Sequence, residues 1–280
     1  MLTLTNSQLP SRLATIASPP KVLYVEGDLQ GILQSPSVAI VGSRKVSAYG
    51  REITKRLATE LAEQGITIIS GLAFGVDSIA HQAALDAGGR TIAVLPSPLE
   101  SIYPASHRQL ARHIVEQGGA LVTEYPAGTE SFKGNFVARN RIIAGLADAT
   151  LVTEAALKSG SLHTARFALN AGRDVLAVPG NITSPTSEGT NNLIKRGATP
   201  VTSTSDVLFT LGIDHSTTKT APTGSNEAEQ AIIDLLAQGV SEGAALQIKS
   251  SLTIEQFNQH LTMLEITGKI RSLGANRWSL

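Results

Sequence analysis

The 280-residue sequence contains no cysteine, which excludes disulfides and cysteine-ligated metals and fits a reducing compartment. It has no excess of either charge, since 23 basic residues balance 23 acidic ones, so any contact with nucleic acid must come from a local patch. It also lacks an apolar run of about 18 residues and a basic start followed by an apolar stretch, which mark a membrane span and a secretion signal. We therefore expect a cytoplasmic protein without a membrane span.

Two nucleotide-binding motifs are absent as well. No G-x-x-x-x-G-K-[ST] occurs in the sequence, which excludes a P-loop within it. The turn after the first strongly apolar strand contains no G-x-G-x-x-G, which excludes the usual dinucleotide fingerprint there. The sequence therefore predicts no bound cofactor.

The rest of the chain is organised around the stretch 38–50. Four apolar residues at 38–41 predict a strand that is buried on both faces, and Gly42 permits a sharp turn after it. Ser47 then predicts the N-cap of a helix that continues to Gln64. A strand, a small turn and a helix in this order are typical of one unit of an α/β fold.

The turn between that strand and that helix is a candidate anion site. A helix N-terminus offers free N–H groups and the positive end of the helix dipole. Gly42 and Ser43 form the turn, and Arg44 and Lys45 place two cations beside it. The alternative interpretation is that both cations belong to a solvated loop edge.

Further apolar runs follow, and each is separated from the next by a helix-length segment: Ile66–Ile69, Thr91–Leu95, Ala120–Val122, Thr150–Val152 and Val175–Val178. This alternation predicts a doubly wound α/β fold with a mostly parallel sheet and helices on both faces. Function in such a sheet belongs to the loops at the carboxyl ends of the strands. Two of these loops, one with Gly71 and one with Ser159, Gly160 and Ser161, place small residues at helix N-termini, which suits phosphate groups.

The segment 133–141 gives the strongest local signal. Lys133, Arg139 and Arg141 carry three positive charges with no acid between them, and Phe136 lies in the middle. An aromatic ring beside phosphate-binding cations is typical of proteins that hold single strands without reading their sequence. The alternative is that Phe136 belongs to the core face of a helix. In that alternative the arginines are solvated. Separately, Arg139 and Arg141 are two residues apart and cannot both lie on one helical stripe, so one of them is a candidate for a structural role paired with Glu124 or Glu154.

Other titratable residues give weaker indications. Asp77 and His81 lie four apart on a predicted helix, and we favour a structural role for both. Glu154 at a strand end is the best candidate for acid–base chemistry, but no nucleophile and orienting partner accompany it. We therefore assign no catalytic residue and no metal ligand.

By composition the chain divides into an N-terminal extension (1–36), a main domain (37–210), a linker (211–226) and a C-terminal domain (227–280). Three amphipathic segments and a terminal hairpin signal predict that the last part is a winged helix: Glu227–Gln238, Ser241–Lys249 and Thr253–Thr267. The third segment contains neither Lys nor Arg, so we expect it to contact protein rather than duplex DNA.

Taken together, the ordered motifs resemble those of the DNA-processing protein A (DprA/Smf) family. The matching blocks are Val38-Ala39-Ile40-Val41-Gly42-Ser43-Arg44, Ser70-Gly71-Leu72-Ala73, Ala80-His81, Arg139-Asn140-Arg141-Ile142-Ile143-Ala144-Gly145, Glu154-Ala155, Ser159-Gly160-Ser161-Leu162 and Ala177-Val178-Pro179-Gly180. The resemblance implies an extended Rossmann-like domain that binds single-stranded DNA and forms a homodimer. It also implies that the protein loads RecA recombinase onto strands covered by single-strand-binding protein during natural transformation.

The resemblance carries family binding positions over to Arg44, Lys133 and Phe136. Combined with the loops described above, it predicts a single-stranded DNA site made of Gly42, Ser43, Arg44, Lys45, Gly71, Lys133, Phe136, Arg139, Arg141, Ser159, Gly160 and Ser161. Apolar residues near the end of the main domain are candidates for the dimer interface: Leu193, Ile194 and Leu208.

A second class of function stays open at this point. Nucleotide-processing hydrolases of the lysine-decarboxylase-like group share a related Rossmann-like scaffold. Such enzymes carry a P-G-G-x-G-T run followed by Glu, whereas this sequence has only Pro179-Gly180-Asn181. The difference favours a protein that binds DNA without catalysis.

Overall fold

The computed structural model describes residues 2–130, 132–213, 223–274 and 276–279. The chain forms two compact units, Met1–Asp214 and His215–Leu280. The division falls inside the segment predicted as a linker, residues 211–226, of which residues 214–222 lie outside the described ranges. Within those ranges, no helix is long and apolar enough to cross a membrane.

The first unit is built on a nine-stranded sheet. Its strands are β1 (Leu2–Thr5), β2 (Val22–Gly27), β3 (Ser37–Val41), β4 (Thr67–Ser70), β5 (Thr91–Val94), β6 (Ala120–Thr123), β7 (Ala149–Val152), β8 (Asp174–Ala177) and β9 (Thr199–Pro200). Their spatial order is β1-β2-β6-β5-β4-β3-β7-β8-β9. The two pairings of β2 are antiparallel and the pairings from β6 to β9 are parallel. The predicted doubly wound, mostly parallel α/β sheet is confirmed.

Helices cover both faces of this sheet. They are α1 (Ser11–Ala14), α2 (Leu29–Ile32), α3 (Ala48–Glu63), α4 (Val76–Asp86), α5 (Arg108–Glu116), α6 (Lys133–Leu146), α7 (Ser161–Asn170), α8 (Glu188–Lys195) and α9 (Thr204–Thr210). Short 3-10 helices span Asn6–Gln8 and Ala105–His107.

The organising stretch folds as its residues predict. All five residues of β3 are buried, in agreement with a strand covered on both faces. Ser47 is the N-cap of α3, where its side-chain oxygen accepts a hydrogen bond from the Gly50 amide at 3.1 Å. The helix then continues to Glu63, one residue short of the predicted end.

Alternate residues of β3 pack into two different hydrophobic cores, one on each face of the sheet. Val38 and Ile40 pack with Leu57 and Leu61 of α3 on one face. Ala39 and Val41 belong to the other core, which α1, α6 and α7 cover together with the β1–β2 hairpin. Because burying apolar surface contributes about 25 cal/mol per Å², these two cores are the main stabilising feature of the unit.

The first 36 residues are part of this unit rather than a separate extension. Leu4 and Leu13 are buried in the same core as α6, and β1 completes the edge of the sheet beyond β2. The run Val22-Leu23-Tyr24-Val25 is a clear sequence signal for β2, whereas β1 has no comparable signal. The reason is that only Leu4 among the four β1 residues is buried, which leaves a weak apolar pattern.

The strand order reverses between β3 and β7. From β3 the chain moves outward through β4, β5 and β6, and then it returns to β7 on the other side of β3. Such a reversal opens a crevice at the carboxyl ends of the strands, where α/β proteins bind ligands. The loops after β3, β4 and β7 therefore meet at the edge where a site is expected.

The second unit contains α10 (Glu227–Ala237), α11 (Gly243–Lys249), α12 (Ile254–Ile266) and the antiparallel hairpin of β10 (Arg271–Gly274) and β11 (Arg277–Ser279). Ile232, Leu246 and Leu264 form its separate core. Capping boxes and caps agree with the predicted starts, since Asn226 caps α10 and Thr253 caps α12. These are the elements expected of a winged helix, and the winged-helix assignment itself stays a prediction.

Candidate nucleic-acid interface

A cation and three aromatic rings meet at the carboxyl edge of the sheet. Arg44 follows β3, Phe74 follows β4, Tyr103 follows β5, and Phe136 lies on the second turn of α6. All four line one shallow pocket. We call these four residues the exposed cluster.

Two contacts hold the Phe136 ring of the exposed cluster, one with Arg44 and one with Tyr103. The Arg44 guanidinium carbon lies 5.0 Å from the centre of the Phe136 ring, which is the geometry of a cation–π contact. Tyr103 meets the Phe136 ring edge to face, with 5.3 Å between ring centres and an interplanar angle of 81°. The two pairs therefore orient Phe136 at the surface.

Exposure decides between the two interpretations of Phe136. Its ring is half-buried, while Tyr103 is 51% exposed and Phe74 is 49% exposed. Large apolar rings that remain this accessible and lie side by side are unusual on a surface that has no partner. Phe136 is thus a surface residue supported by neighbours and not a member of either core.

Two loops of the site are tied together by a glycine. Gly75 has φ of +79°, and a Cβ atom there would collide with the backbone oxygen of Ser43. The close approach lets the Val76 amide donate a hydrogen bond to that same oxygen at 3.1 Å. The loop that carries Arg44 and the loop that carries Phe74 therefore share one rigid junction.

Beneath the exposed cluster lies a layer of buried polar side chains that fixes the loop 71–75. Asp77 accepts hydrogen bonds from the amides of Gly71 at 3.1 Å and Ala73 at 3.4 Å, and His81 accepts one from Leu72 at 3.3 Å. Leu72 has φ of +56°, a conformation that is costly for a residue with a branched side chain. We call Asp77, His81 and Arg139 the buried support.

Arg139 was predicted to contact DNA, and the structure contradicts this. It is only 3% exposed, and its Nη1 group donates hydrogen bonds to the Gly71 oxygen at 2.7 Å and to the Val94 oxygen. Gly71 is needed for this contact, because a Cβ atom there would lie 2.5 Å from Arg139 Nη2. Gly71 is consequently covered by Arg139 and is a support residue too. Helical spacing explains the error, since residue 139 lies one turn deeper than Phe136.

Burial shifts the protonation of the support. Desolvation lowers the pKa of Arg139 to about 10, so it remains a cation at neutral pH. Desolvation also raises the pKa of Asp77, against the opposing effect of the Arg139 charge. The pKa of His81 falls to about 3 because burial and the Arg139 charge disfavour the imidazolium form.

The hydrogen bonds of His81 agree with a neutral ring. Thr91 donates its hydroxyl to the Ile68 oxygen at 2.7 Å, so its oxygen is left to accept from His81 Nδ1 at 2.6 Å. The other ring nitrogen, Nε2, then accepts from the Leu72 amide. The structural role predicted for His81 and Asp77 fits this arrangement.

Arg141 is also turned inward. Its two terminal nitrogens contact the Glu124 carboxylate at 3.0 and 2.6 Å, which is a bidentate pair. The alternative that one arginine of the segment is structural and pairs with Glu124 therefore describes Arg141. With Arg139 satisfied by carbonyl groups, neither arginine of the segment is directed toward a strand lying on the exposed cluster.

Lys133 is exposed at the first residue of α6. It lies three positions before Phe136, so both side chains occupy the same face of the helix. The α6 N-terminus receives no side-chain cap and has no acid in its first turn. The free N–H groups at this end and the Lys133 ammonium together favour an anion next to Phe136.

The anion site predicted at the start of α3 is filled by the protein itself. Glu154 Oε2 accepts a hydrogen bond from the Ser47 amide at 2.8 Å, and Glu154 is 2% exposed. Gly50 makes room for this carboxylate, since a Cβ atom there would collide with it. Glu154 thus neutralises the helix N-terminus and is closed to solvent, so neither a phosphate at that position nor acid–base chemistry by Glu154 fits the structure.

The other residues predicted to bind DNA lie in the loops after β3 and β7, and they differ in exposure. The Ser43 amide donates to the Glu154 backbone oxygen at 2.8 Å, which aligns the Gly42–Ser43 turn, and Lys45 is exposed beside Arg44. Ser159 and Ser161 share a hydrogen bond of 2.8 Å, and Ser161 is buried. Gly160 is exposed, and its oxygen accepts from Asn140 at 3.3 Å. Of this last group, Gly160 and Lys45 are the accessible members.

The three residues predicted for the dimer interface differ in exposure. Leu193 and Ile194 are half-buried, whereas Leu208 is fully buried against the sheet and has no surface to offer. Its neighbour Phe209 is 86% exposed. Leu208 and Phe209 are adjacent in sequence but lie on the inner and outer faces of α9. The apolar pattern alone therefore selects Leu208, which is buried, instead of the exposed Phe209.

Sequence reasoning missed Phe74 and Tyr103. Phe74 lies in the loop after β4, among small residues whose glycines predict a phosphate site. Tyr103 lies in the 94–105 connection, where no motif marks it. An aromatic residue in a loop at the carboxyl end of a parallel strand is the signal that would have found both.

The chain matches the family described as DNA recombination-mediator protein A over residues 1–212. A curated relative, protein Smf of Escherichia coli, is 48% identical over 202 residues, which cover 72% of this chain and 54% of that protein. The chain thus corresponds to about half the length of this relative.

Two solved structures are similar to the chain. The DNA processing protein A (DprA) of Streptococcus pneumoniae is 40% identical with a TM-score of 0.70, and the match covers 74% of this chain and 73% of that one. The same protein of Helicobacter pylori, whose structure describes a single-stranded DNA binding mode, is 36% identical with a TM-score of 0.68, covering 75% and 94%. The Rossmann-like fold of the first unit agrees with both.

Proposed function

The chain belongs to the DNA recombination-mediator protein A family, and on that premise we propose that it binds single-stranded DNA and mediates recombination during natural transformation. The observation that carries the proposal is the exposed cluster, in which Arg44 lies over the half-buried Phe136 ring and the exposed rings of Tyr103 and Phe74 line the same pocket. Flat rings next to cations bind unpaired bases and their phosphates without reading the sequence.

The proposed site favours single over double strands. Bases of a duplex are stacked on each other and their faces are closed to side chains, so the rings of Phe136 and Tyr103 can contribute only when the bases are free. Arg44 and Lys133 contact phosphates, and their charges serve either form. The stacking contribution is therefore the source of the preference.

The experiment is a competition at two salt concentrations. A labelled single-stranded oligonucleotide bound to the full chain is displaced by unlabelled single strands or by duplex of the same sequence. We expect single strands to compete about 5-fold better or more, since stacking of one base is worth about 1–3 kcal/mol. Equal or better competition by duplex would contradict the proposal.

Binding rather than catalysis is the proposed mode of action. Glu154, the candidate for acid–base work, is buried and accepts a hydrogen bond from the first turn of α3. Incubation of the protein with nucleoside monophosphates, followed by chromatography, is expected to release no free base. Release above that of a heat-denatured sample would overturn this part of the proposal.

We further propose that the protein loads RecA onto strands covered by single-strand-binding protein. The proposal follows from the family description, DNA recombination-mediator. Adding the protein to such covered strands should increase the rate at which RecA forms filaments, and the Phe136→Ala variant should increase it less. An equal rate with and without the protein would contradict this role.

A homodimer formed through the first unit completes the proposal. Phe209 of α9 is 86% exposed, and a ring of this size is a suitable anchor for a self-complementary contact. Sedimentation of the full chain at micromolar concentration should give a dimer, and Phe209→Ser should shift it toward the monomer. A monomeric wild-type chain would rule the dimer out.

A further inference from the structure

A second and larger cleft opens at the carboxyl edge of the sheet. It has a volume of about 510 Å³ and lies between the start of α3 and the loop after β8. Its lining is formed by hydroxyl and amide side chains with one aromatic ring: Ser47, Tyr49, Pro179, Gly180, Asn181, Ser184, Thr186 and Ser187. The cleft thus lies at the carboxyl edge of the sheet, where open α/β sheets bind ligands, and nothing in the proposed function uses it.

Tyr49 forms one wall of the cleft in a fixed orientation. Its hydroxyl donates a hydrogen bond to the Pro179 oxygen at 2.9 Å, which ties the first turn of α3 to the loop after β8. The residue is nevertheless 46% exposed, so the ring remains accessible although its polar end is already satisfied. A flat ligand group can lie against this ring.

The opposite wall is a loop that its own hydrogen bonds make rigid. Asn191 accepts from the Gly180 amide at 3.1 Å and donates to the Gly180 oxygen at 3.0 Å. A Cβ atom on Gly180 would collide with the Ser187 hydroxyl, so the glycine brings that hydroxyl to the cleft. Ser187 is only 4% exposed, but it lines the cleft, and within the described part of the chain its Oγ makes no hydrogen bond and can bind a ligand hydroxyl or carbonyl.

The charges around the cleft define which groups it accepts. The described residues that line it include no Lys, Arg, Asp or Glu. The helix N-terminus next to it, which would attract a phosphate, is already occupied by the buried Glu154 carboxylate at the Ser47 amide. One oxygen of that carboxylate, Oε1, has no hydrogen-bond partner among the described residues and adds negative potential at this position. A phosphate is disfavoured, and an uncharged group is favoured.

We propose that this cleft binds the base and sugar of one nucleotide, with the base against Tyr49 and a sugar or base oxygen on Ser187. The inference rests on the proposed function and extends it, because the nucleoside unit is supplied either by the bound DNA strand or as a free nucleoside. Arg44 and Ser47 are three residues apart, at most about 10 Å of chain, so a single strand whose phosphates contact Arg44 and Lys45 reaches both places.

The test measures affinity for single-stranded oligothymidylate of about 12 nucleotides, within the usual site size of about 4–16. Tyr49→Ala should weaken binding about 5-fold or more, as expected for the loss of a stacked base. Tyr49→Phe removes the hydroxyl but keeps the ring, and it should bind within about twofold of wild type. Melting temperatures of both variants report whether the fold is intact.

A further arm identifies the source of the nucleoside. Thymidine alone is then added to wild type and Tyr49→Ala, and its nuclear magnetic resonance lines are followed. Broadening with wild type but not with the variant identifies a free nucleoside as a ligand, and no broadening with either assigns the cleft to the strand.

The outcomes separate this inference from the function on which it rests. If wild type binds single strands and Phe136→Ala weakens that binding, while Tyr49→Ala equals wild type with DNA and with thymidine, the cleft is no nucleoside site and only this inference fails. If wild type binds no single strand at all, the proposed function fails first. A fivefold loss in Tyr49→Ala with unchanged melting, retained in Tyr49→Phe, supports the cleft as a nucleoside site.

Discussion

Phe136 and Arg139 lie one turn apart on the same helix but belong to two regions that differ in burial and in hydrogen bonding. In the exposed cluster the groups are accessible and their hydrogen-bonding capacity is unused, so they are available for a ligand. In the buried support every residue is bonded to the backbone of the loop above, as Arg139 is to Gly71 and Val94. The comparison teaches that positive charge in a motif says little about binding until burial is known.

The difference also separates the expected effects of mutation. Loss of an exposed group removes a contact with DNA and leaves the fold intact. Loss of a buried polar group leaves its partners without hydrogen bonds in a region without water, which costs stability first. Exposed and buried groups should therefore differ in whether a substitution changes DNA binding or stability.

The largest effect is expected for Arg139→Met. The substitution keeps an unbranched apolar stem but leaves the carbonyls of Gly71 and Val94 without donors and Asp77 without its countercharge. We expect a loss of about 3–5 kcal/mol in the free energy of unfolding, measured by denaturant titration. The control is Arg90→Met, an exposed arginine just before β5, which should change stability by about 0.5 kcal/mol or less. A variant as stable as wild type would show that Arg139 is not a support residue.

The next effect concerns pH. His81 takes up a proton near its ordinary pKa of 6.5 in the unfolded chain but only near 3 in the folded one, so folding excludes a proton between these values. The contribution of the neutral His81 ring to the free energy of unfolding is therefore fully present above about pH 6.5 and is lost as the pH falls toward 3. Between pH 7 and pH 4 the loss should be about 3 kcal/mol.

The comparison is made with His81→Gln, whose amide can accept from Leu72 and donate to Thr91 without titrating. Denaturant unfolding at neutral and acid pH should show a smaller dependence on pH in the variant. Asp77 has a raised pKa and contributes with the opposite sign, but it is present in both proteins and cancels in the difference. Parallel curves for the two proteins would mean that His81 is not a buried neutral ring.

How much of this arrangement can be read from the sequence depends on periodicity. The β3 strand, the Ser47 cap and the sheet are predictable because buried strands and helix starts have local signatures. The burial of Arg139 and of Leu208 is not predictable, because tertiary contacts decide how deeply each turn of α6 is buried and which face of α9 meets the core. Phe74 and Tyr103 are brought to Phe136 only by the strand order, which no local pattern contains.

The third prediction returns to the exposed cluster. Phe136→Ala should weaken single-strand binding by about 1–3 kcal/mol through the loss of a stacked base. Unfolding should change by only about 1 kcal/mol, the value of its contact with Tyr103, whereas truncation of a core phenylalanine costs about 3–5 kcal/mol. Phe136→Leu, which keeps apolar bulk without a flat ring, should bind as weakly as Phe136→Ala. Full binding by the leucine variant would exclude stacking.

The smallest effect is also the most direct test that the exposed cluster binds a strand through its phosphates. A phosphate contact on a single strand contributes about 0.7 to the slope of log affinity against log salt concentration. Arg44→Ala and Lys133→Ala should each flatten the slope of wild type by about that amount, and Arg90→Ala at the opposite edge of the sheet should leave it unchanged. The account predicts this pattern in a salt series with single-stranded DNA. A slope in Arg44→Ala equal to that of wild type would contradict it.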